Sequence, residues 1–304
     1  MQYKKDELKD YIEKSEIREY SRDIKVRLSS DLAKKYDAGE YDLMLKKFQD
    51  NYDFIKLLNI KYPGNAEPNL YIYIVPDDEY VNLLNFPAIF NKGTGGGRPV
   101  PCYDLDGFNR AYGTSQNLML NGRAERWNIA FEENNIHELS HLVHGQFFDG
   151  DSVLGEGFAE TLPLYGLNYE EVFDDHRRAL LELKEDEILS AQELLNQSKE
   201  GKFGATSINN HQGCTYRHSY ISSYLFVRGC IEQIERKFNV TKLEAFQKFL
   251  EIVKTSNYTQ EWRILDIGDK IGIDHEEILL GKTIQLNALN SLSLIEEQKK
   301  KITM

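Results

Sequence analysis

The residues best suited to chemistry are two histidines and a glutamate in the segment His137-Glu138-Leu139-Ser140-His141. Residues four apart share one face of a helix, so the imidazoles of His137 and His141 can bind one ion. Glu138 is turned by about 100° around the helix axis from His137. A carboxylate there can take a proton from water at the metal without being a ligand. The spacing predicts a catalytic zinc site, and two exposed histidines on a polar helix are the alternative.

A catalytic zinc site needs a third protein ligand and one open position. The chain continues after His141 with Gly155-Glu156-Gly157-Phe158-Ala159-Glu160, in which Glu156 and Glu160 lie four residues apart. On a helix their carboxylates share one face and repel each other, and a metal with its histidines relieves that repulsion. A solvated acidic face is the alternative, because the chain is acidic overall.

The segments HELSH and EGFAE together resemble the gluzincin metallopeptidases, which include thermolysin-like enzymes, aminopeptidase-N-like enzymes and clostridial collagenases. The resemblance implies that His137, His141 and Glu156 bind the metal and that Glu138 is the general base. It covers about residues 126–165 and is weaker as far as about residue 250.

Glu160 competes with Glu156 for the role of third ligand. Fourteen residues separate His141 from Glu156 and eighteen separate it from Glu160, which is the aminopeptidase-N spacing. The run Glu156-Gly157-Phe158-Ala159 reproduces the family's ligand motif, so the resemblance favours Glu156. We expect its small residues to let this helix approach the HELSH helix closely. We expect Glu160 to accept a hydrogen bond from a ring nitrogen of His137 or His141 and to fix its orientation.

The metzincin pattern is excluded by the residues that follow His141. That pattern requires glycine and histidine at the third and sixth positions, which hold His144 and Phe147 here. His144 is expected to be a polar neighbour near a helix C-terminus, before Gly145, and not a ligand.

A peptidase must also stabilise the oxyanion that forms at the attacked carbonyl, and gluzincins use a Tyr or His of a later helix. The candidates are Tyr216, His218, Tyr220 and Tyr224. On one continuous helix the three tyrosines share a face and His218 points elsewhere. The segment resembles the Tyr-x-x-x-x-x-Phe-x-Arg run of several gluzincins, which favours Tyr220. An aromatic stripe in the core is the alternative, and we prefer it for Tyr216 and Tyr224.

The predicted secondary structure places strands before helices. Alternation and β-branched residues predict strands at residues 24–28, 70–75 and 111–120, a helix at 41–58, and a loop at 91–101 that is suited to act as a lid. Helices are predicted at residues 126–144, 158–165, 170–184, 215–238, 242–253 and 274–297.

This order favours an α+β fold of gluzincin-like architecture. We expect a β-containing N-terminal α/β lobe with a mixed sheet over residues 1–125, and a mainly helical C-terminal lobe over residues 126–304 that carries the zinc site. The active-site cleft is expected between them. The family binds peptides along an edge strand by β-addition, and residues 111–117 are the expected strand.

Composition excludes several classes of protein. The 304 residues include 37 basic and 49 acidic ones, for a net charge of −12, which disfavours nucleic acid as a partner. No apolar run approaches the roughly 18 residues of a membrane span. No hydrophobic signal region follows the N-terminal residues, and the three cysteines are scattered, which predicts a cytoplasmic protein.

We therefore predict a zinc-dependent peptidase with one Zn²⁺ per chain and a peptide or protein as its substrate. Two alternatives stay open: a zinc hydrolase of a non-peptide amide or ester, and a catalytically silent gluzincin fold that binds a peptide. The carboxylate of Glu138 argues against the silent protein, because a structural zinc site does not need it.

Overall fold

The computed structural model describes part of the 304-residue chain: residues 16–19, 21, 24–28, 38–58, 69–76, 96–100, 116–123, 137, 140, 141, 147, 148, 151–169, 180, 182–205, 207–209, 215–256 and 259–292. The chain divides into two compact units, Met1–Lys56 with Ile60–Leu142, and Leu57–Asn59 with Val143–Met304. The expected division into lobes after residue 125 stays a prediction, because residues 124–136 lie outside the described ones.

Five strands pair in the first unit: β1 (Glu16–Glu19), β2 (Ile24–Leu28), β3 (Asn69–Pro76), β4 (Gly96–Val100) and β5 (Gln116–Arg123). Their order is β1-β2-β3-β5-β4. Strand β3 is parallel to both β2 and β5, whereas the two outer pairs are antiparallel. The strands predicted at residues 24–28 and 70–75 are confirmed as backbone ladders.

The loop predicted at residues 91–101 is wrong for its second half, because β4 occupies residues 96–100. Glycine and proline are poor strand formers, so the local sequence gives no strand signal there. The ladder with β5 supplies the backbone partners, with Pro99 opposite Met119. Pairing with a distant segment therefore overrides local propensity.

The expected peptide-binding strand is also corrected. Residues 116–117 belong to β5, which lies between β3 and β4, and residues 111–115 lie outside the described part of the chain. β-Addition needs an edge strand with free backbone groups. The interior position of β5 does not provide one.

Helix α1 (Ala38–Leu57) belongs mainly to the first unit, and the helices named next lie in the second. These are α2 (Ser152–Thr161), a π-helical turn (Leu162–Gly166), a 3-10 turn (Glu185–Glu187), α3 (Ala191–Lys199), α4 (His218–Phe238), α5 (Lys242–Thr255), α6 (Gln260–Ile271), α7 (His275–Leu280) and a helix over residues 283–292. Two short antiparallel strands, β6 (Ser207–Asn209) and β7 (Thr215–Arg217), come before α4.

Several helix boundaries have local causes. Ser190 and Thr241 begin α3 and α5 with reciprocal capping boxes to Glu193 and Glu244. Helix α6 ends at Gly272, whose φ of 84° is the left-handed conformation that glycine adopts without strain. Pro163, within the helix predicted at residues 158–165, lies in the π-helical turn after α2.

Some predicted helices differ from the observed ones. The helix predicted from residue 215 begins at His218, because residues 215–217 form β7. The one predicted at residues 274–297 is interrupted at residues 281–282. Within the described ranges, no helix is both long enough and apolar enough to cross a membrane.

The described core of the second unit is made by its helices. The ring of Phe158 on α2 lies 5.1 Å from that of Phe148 and 5.8 Å from that of Phe246 on α5, measured between ring centroids. Cys230 on α4 is a free, fully buried thiol, and burial raises its pKa. Helix α2, which carries the predicted glutamate ligand, is therefore enclosed by apolar side chains.

The expected α+β fold, with a gluzincin-like β-containing lobe and a cleft beside a helical lobe, is corrected by the structure. Among the residues whose side chains are described, most are helical and none lies in a strand. The ladders of β1–β5 are defined by backbone pairing alone, so no β lobe with a packed core is shown. Alternation in the sequence predicts individual strands, whereas a lobe also requires the side chains of a sheet to pack.

Candidate metal centre

The two histidines of HELSH converge as their spacing predicts. His137 and Ser140 are helical, and His141 lies in a 3-10 turn. The Nε2 atoms of the two imidazoles are 3.0 Å apart, and the ring planes are nearly perpendicular at 84°. Both rings therefore present the same nitrogen to one small region of space.

Glu156 completes a group that could hold a metal ion. Its carboxylate and one nitrogen from each of His137 and His141 all lie within 4.8 Å of one another. Two nitrogen ligands at zinc distances of about 2.0–2.1 Å are about 3.3 Å apart in a tetrahedral site. The observed 3.0 Å between the imidazole nitrogens is close to that value. Two imidazoles and one carboxylate are also a donor set that zinc accepts, so the residues fit the ion.

Glu138, the predicted general base, lies outside the described residues, as does His144. Its role stays a prediction. Phe147, at the sixth position after His141, is a buried core residue, 7% exposed. This agrees with the exclusion of the metzincin pattern, which has histidine at that position.

Helix α2 is fixed by contacts within the second unit. Asp151 caps it, and the Asp151 Oδ1 atom accepts the backbone N–H of Leu154 at 3.0 Å. A Cβ on Gly157 would lie 2.5 Å from the carbonyl oxygen of Ser223 and 2.7 Å from Val227. Gly157 therefore packs against α4. The expected close approach of this helix to the HELSH helix stays a prediction.

Glu160 is one turn after Glu156 and is buried, 8% exposed. Its charge acts on Tyr224, where it contributes to a raised pKa whose main cause is the burial of the phenol. Its predicted hydrogen bond to a ring nitrogen of a histidine stays a prediction.

The candidates for oxyanion stabilisation lie in different environments. Tyr220 is on the first turn of α4, and its ring lies 5.5 Å from that of Phe203. Tyr216 belongs to β7, so the prediction that it shares a helical face with Tyr220 is wrong. His218 contacts the backbone carbonyl of Glu187, and burial lowers the pKa of its imidazole. The role of Tyr220 stays a prediction.

Tyr224 is a core residue, as preferred from the sequence. It is 1% exposed, and its hydroxyl accepts a hydrogen bond of 2.7 Å from Nη1 of Arg228. The Nε atom of Arg228 donates to Glu232 at 2.8 Å, in an ion pair with both side chains under 10% exposed. The guanidinium carbon also lies 4.8 Å from the centre of the Tyr165 ring. The contact with Tyr165 joins α4 to the π-helical turn.

Asn51 makes a buried polar contact with the HELSH segment that was not predicted from the sequence. Its Nδ2 atom donates a 3.2 Å hydrogen bond to Oγ of Ser140, which lies between the two histidines of HELSH, and both side chains are buried. A signal was available, because Asn51 falls in the apolar stripe Phe48-Tyr52-Ile55 of α1. A polar residue on a core-facing stripe needs a buried partner.

The chain matches no protein-family model, and comparisons with curated proteins and with solved structures find no match to it either.

Proposed function

We propose that the protein is a zinc-dependent peptidase of gluzincin type. The observation that carries the proposal is the convergence of His137, His141 and Glu156, whose ligand atoms lie within 4.8 Å of one another. Three protein ligands that include two histidines and a carboxylate leave one position open, as catalysis requires and a structural site does not.

The ion, when bound, supplies Lewis acidity that polarises a carbonyl and lowers the pKa of water. His137 and His141 would hold it through ring nitrogens, and Glu156 would hold it through a carboxylate oxygen. In this proposal Glu138 takes a proton from the attacking water and delivers it to the leaving amine. Tyr220 donates a hydrogen bond to the oxyanion.

The proposed substrate is a peptide or protein, and one Zn²⁺ binds per chain. The net charge of −12 supports a substrate other than nucleic acid. A cytoplasmic location is part of the proposal, supported by the scattered cysteines and by the free, buried thiol of Cys230.

The test measures metal content and hydrolysis on the same protein. Protein prepared without added zinc should contain about one zinc per chain, or take it up on titration. It should digest casein or a peptide library, lose activity to a chelator and regain it with zinc. A chain that takes up no divalent metal would contradict the proposal, whereas zinc without peptide cleavage would favour the amide or ester hydrolase or the silent protein.

The variant Glu138→Gln separates the base from a ligand. It should keep zinc and lose turnover by at least about 10²–10⁴-fold, the usual contribution of acid–base catalysis. Glu185→Gln, on an exposed 3-10 turn, is the matched control and should change neither quantity. Loss of zinc in Glu138→Gln would make that residue structural.

A further inference from the structure

The N-terminus of α2 carries a buried acidic side chain whose second oxygen is not needed for its capping role. An N-cap needs one side-chain oxygen, and Oδ1 of Asp151 already fills that role by accepting the Leu154 N–H at 3.0 Å. The other oxygen, Oδ2, lies 3.5 Å from Nη1 of Arg263, on α6. The Asp151 side chain is 0% exposed and that of Arg263 is 18% exposed.

The other N-caps of the second unit whose side chains accept a hydrogen bond, among the described residues, show that this arrangement is unusual for a cap. Ser190 and Thr241 are neutral, and Asp274, which caps α7 through the Glu277 N–H, is exposed to solvent. A neutral residue would cap α2 without the cost of removing a carboxylate from water. A buried ion pair seldom adds net stability over neutral residues of similar size, so its contribution is better sought in fixing one geometry.

Asp151 is well placed to fix the geometry of a metal ligand. The amide that it caps, Leu154, lies two residues before Glu156, and the backbone carbonyl of Asp151 also accepts the Gly155 N–H at 3.0 Å. The backbone N–H of Asp151 donates to the carbonyl of Phe148 at 2.7 Å. The first turn of α2 is therefore held by the backbone and one carboxylate oxygen of Asp151, while the other carboxylate oxygen faces Arg263 on α6.

We propose that Asp151 and Arg263 form a positioning pair for Glu156, which ties the first turn of α2 to α6 and sets where the glutamate ligand lies. The inference rests on the proposed metal centre. Neither residue belongs to the group of candidate ligands, His137, His141 and Glu156. The pair acts through the helix backbone, and Gly157, packed against α4, keeps that helix from shifting sideways.

The test compares zinc affinity with thermal stability in charge-neutral variants. Asp151→Asn keeps an oxygen for the Leu154 amide, and asparagine caps helices as well as aspartate does, so the variant removes mainly the charge. Arg263→Gln removes the positive partner of Asp151. Because the Arg263 side chain is partly exposed, this variant tests the pair even if Asp151→Asn does not fold. Each variant should weaken zinc binding by about 10–100-fold, the range for residues that orient ligands.

Two further variants separate positioning from general stability. The double variant Asp151→Asn, Arg263→Gln should bind zinc about as tightly as the single variant with the lower zinc affinity, because both changes remove the same interaction. Arg263→Lys keeps the positive charge and should restore most of the affinity. Asp274→Asn is the matched control at an exposed cap and should leave zinc affinity unchanged. The visible spectrum of bound Co²⁺, which depends on coordination geometry, should change only where zinc affinity falls.

The outcomes distinguish this inference from the proposed function. Zinc affinity within about twofold of the original protein in Arg263→Gln and Asp151→Asn, with a lower Tm alone, would overturn the positioning role and leave the metal centre intact. An original protein that takes up no zinc would overturn both. Zinc binding that depends on the pair, without peptide cleavage, would overturn the peptidase and support the pair.

Discussion

The histidine segment and the glutamate helix of the proposed metal centre are held by different physical means. Between the histidines, Ser140 accepts one neutral hydrogen bond from Asn51, and both groups are buried. Helix α2 instead has a charged cap at Asp151 and a close backbone contact at Gly157. A neutral hydrogen bond contributes about 1 kcal/mol, whereas removing one partner of a buried ion pair leaves a costly unpaired charge.

The two parts of the proposed metal centre, the histidine segment and helix α2, should therefore differ in how well metal binding tolerates substitutions of residues that are not ligands. Two histidines four residues apart on one helical turn are brought together by local geometry and need little external support. A glutamate from a separate helix has no such local link to them, so its position depends on how that helix is anchored. We therefore expect zinc affinity to be more sensitive to substitutions around helix α2, which carries Glu156, than to those around the histidine segment.

The largest expected effect on zinc binding tests whether Glu156 or Glu160 is the third ligand. Glu156→Ala should abolish stoichiometric zinc, since two histidines alone do not make a catalytic site. Glu160→Ala should keep zinc at saturating metal and bind it about 10–100-fold more weakly, as for other residues that orient ligands. Competition with a chelating dye measures both affinities. The reverse order would make Glu160 the ligand and the eighteen-residue spacing from His141 the correct one.

A second expected effect concerns catalysis, through Tyr220 on α4 of the second unit. Tyr220→Phe should lower kcat by about 10²–10³-fold, the cost of losing one oxyanion donor. KM should change little, because the hydrogen bond forms mainly in the transition state. Steady-state kinetics on a peptide measures both. Full activity in Tyr220→Phe with collapse in His218→Ala would transfer the role to the histidine.

A smaller effect is expected at the backbone contact of α2. Gly157→Ala should destabilise the protein by about 3 kcal/mol, because the new Cβ meets the Ser223 carbonyl and overpacks the contact. Gly268→Ala is the control, since its nearest neighbours are at 3.1 Å and alanine favours a helix. Urea unfolding gives both free energies. Equal values for the two variants would show that α2 can shift away from α4 at little cost.

The smallest effect is expected at the histidine segment. Asn51→Leu removes the donor to Ser140 and should cost about 2 kcal/mol, because a buried hydroxyl loses its hydrogen bond. Adding Ser140→Ala should recover most of that loss, since replacing both partners by apolar groups is nearly neutral. Zinc affinity should fall less than in Arg263→Gln. A larger fall in Asn51→Leu would reverse the proposed contrast between the two halves.

Local signals were enough to predict much of the secondary structure and the ligand spacing. The alternation at residues 24–28 and the helix at residues 242–253 correspond to β2 and α5. His137, His141 and Glu156 also converge as their spacing and the family resemblance indicated. These features depend on periodicity over a few residues, which a single sequence displays directly.

Features that depend on distant partners could not be read in this way. Strand β4 exists because β5 pairs with it, and no property of Gly96 or Pro99 announces a strand. Nothing within α2 indicates that Gly157 packs against α4. The sequence likewise did not show that Asp151 would meet Arg263. The fold class was wrong for a related reason, since a strand pattern does not say whether the sheet builds a core.

The buried thiol of Cys230 can report on the opening of the second unit in solution. It lies three residues after Val227, on the helix that contacts Gly157, and burial both hides it and raises its pKa. A disulfide reagent can modify this thiol only when the helices around it open. In a Cys102→Ser, Cys214→Ser protein, the labelling rate therefore measures how often they open. A ligand that binds only the closed form slows the labelling in proportion to its occupancy. Zinc binding could therefore be followed as a kinetic protection, without any substrate being known.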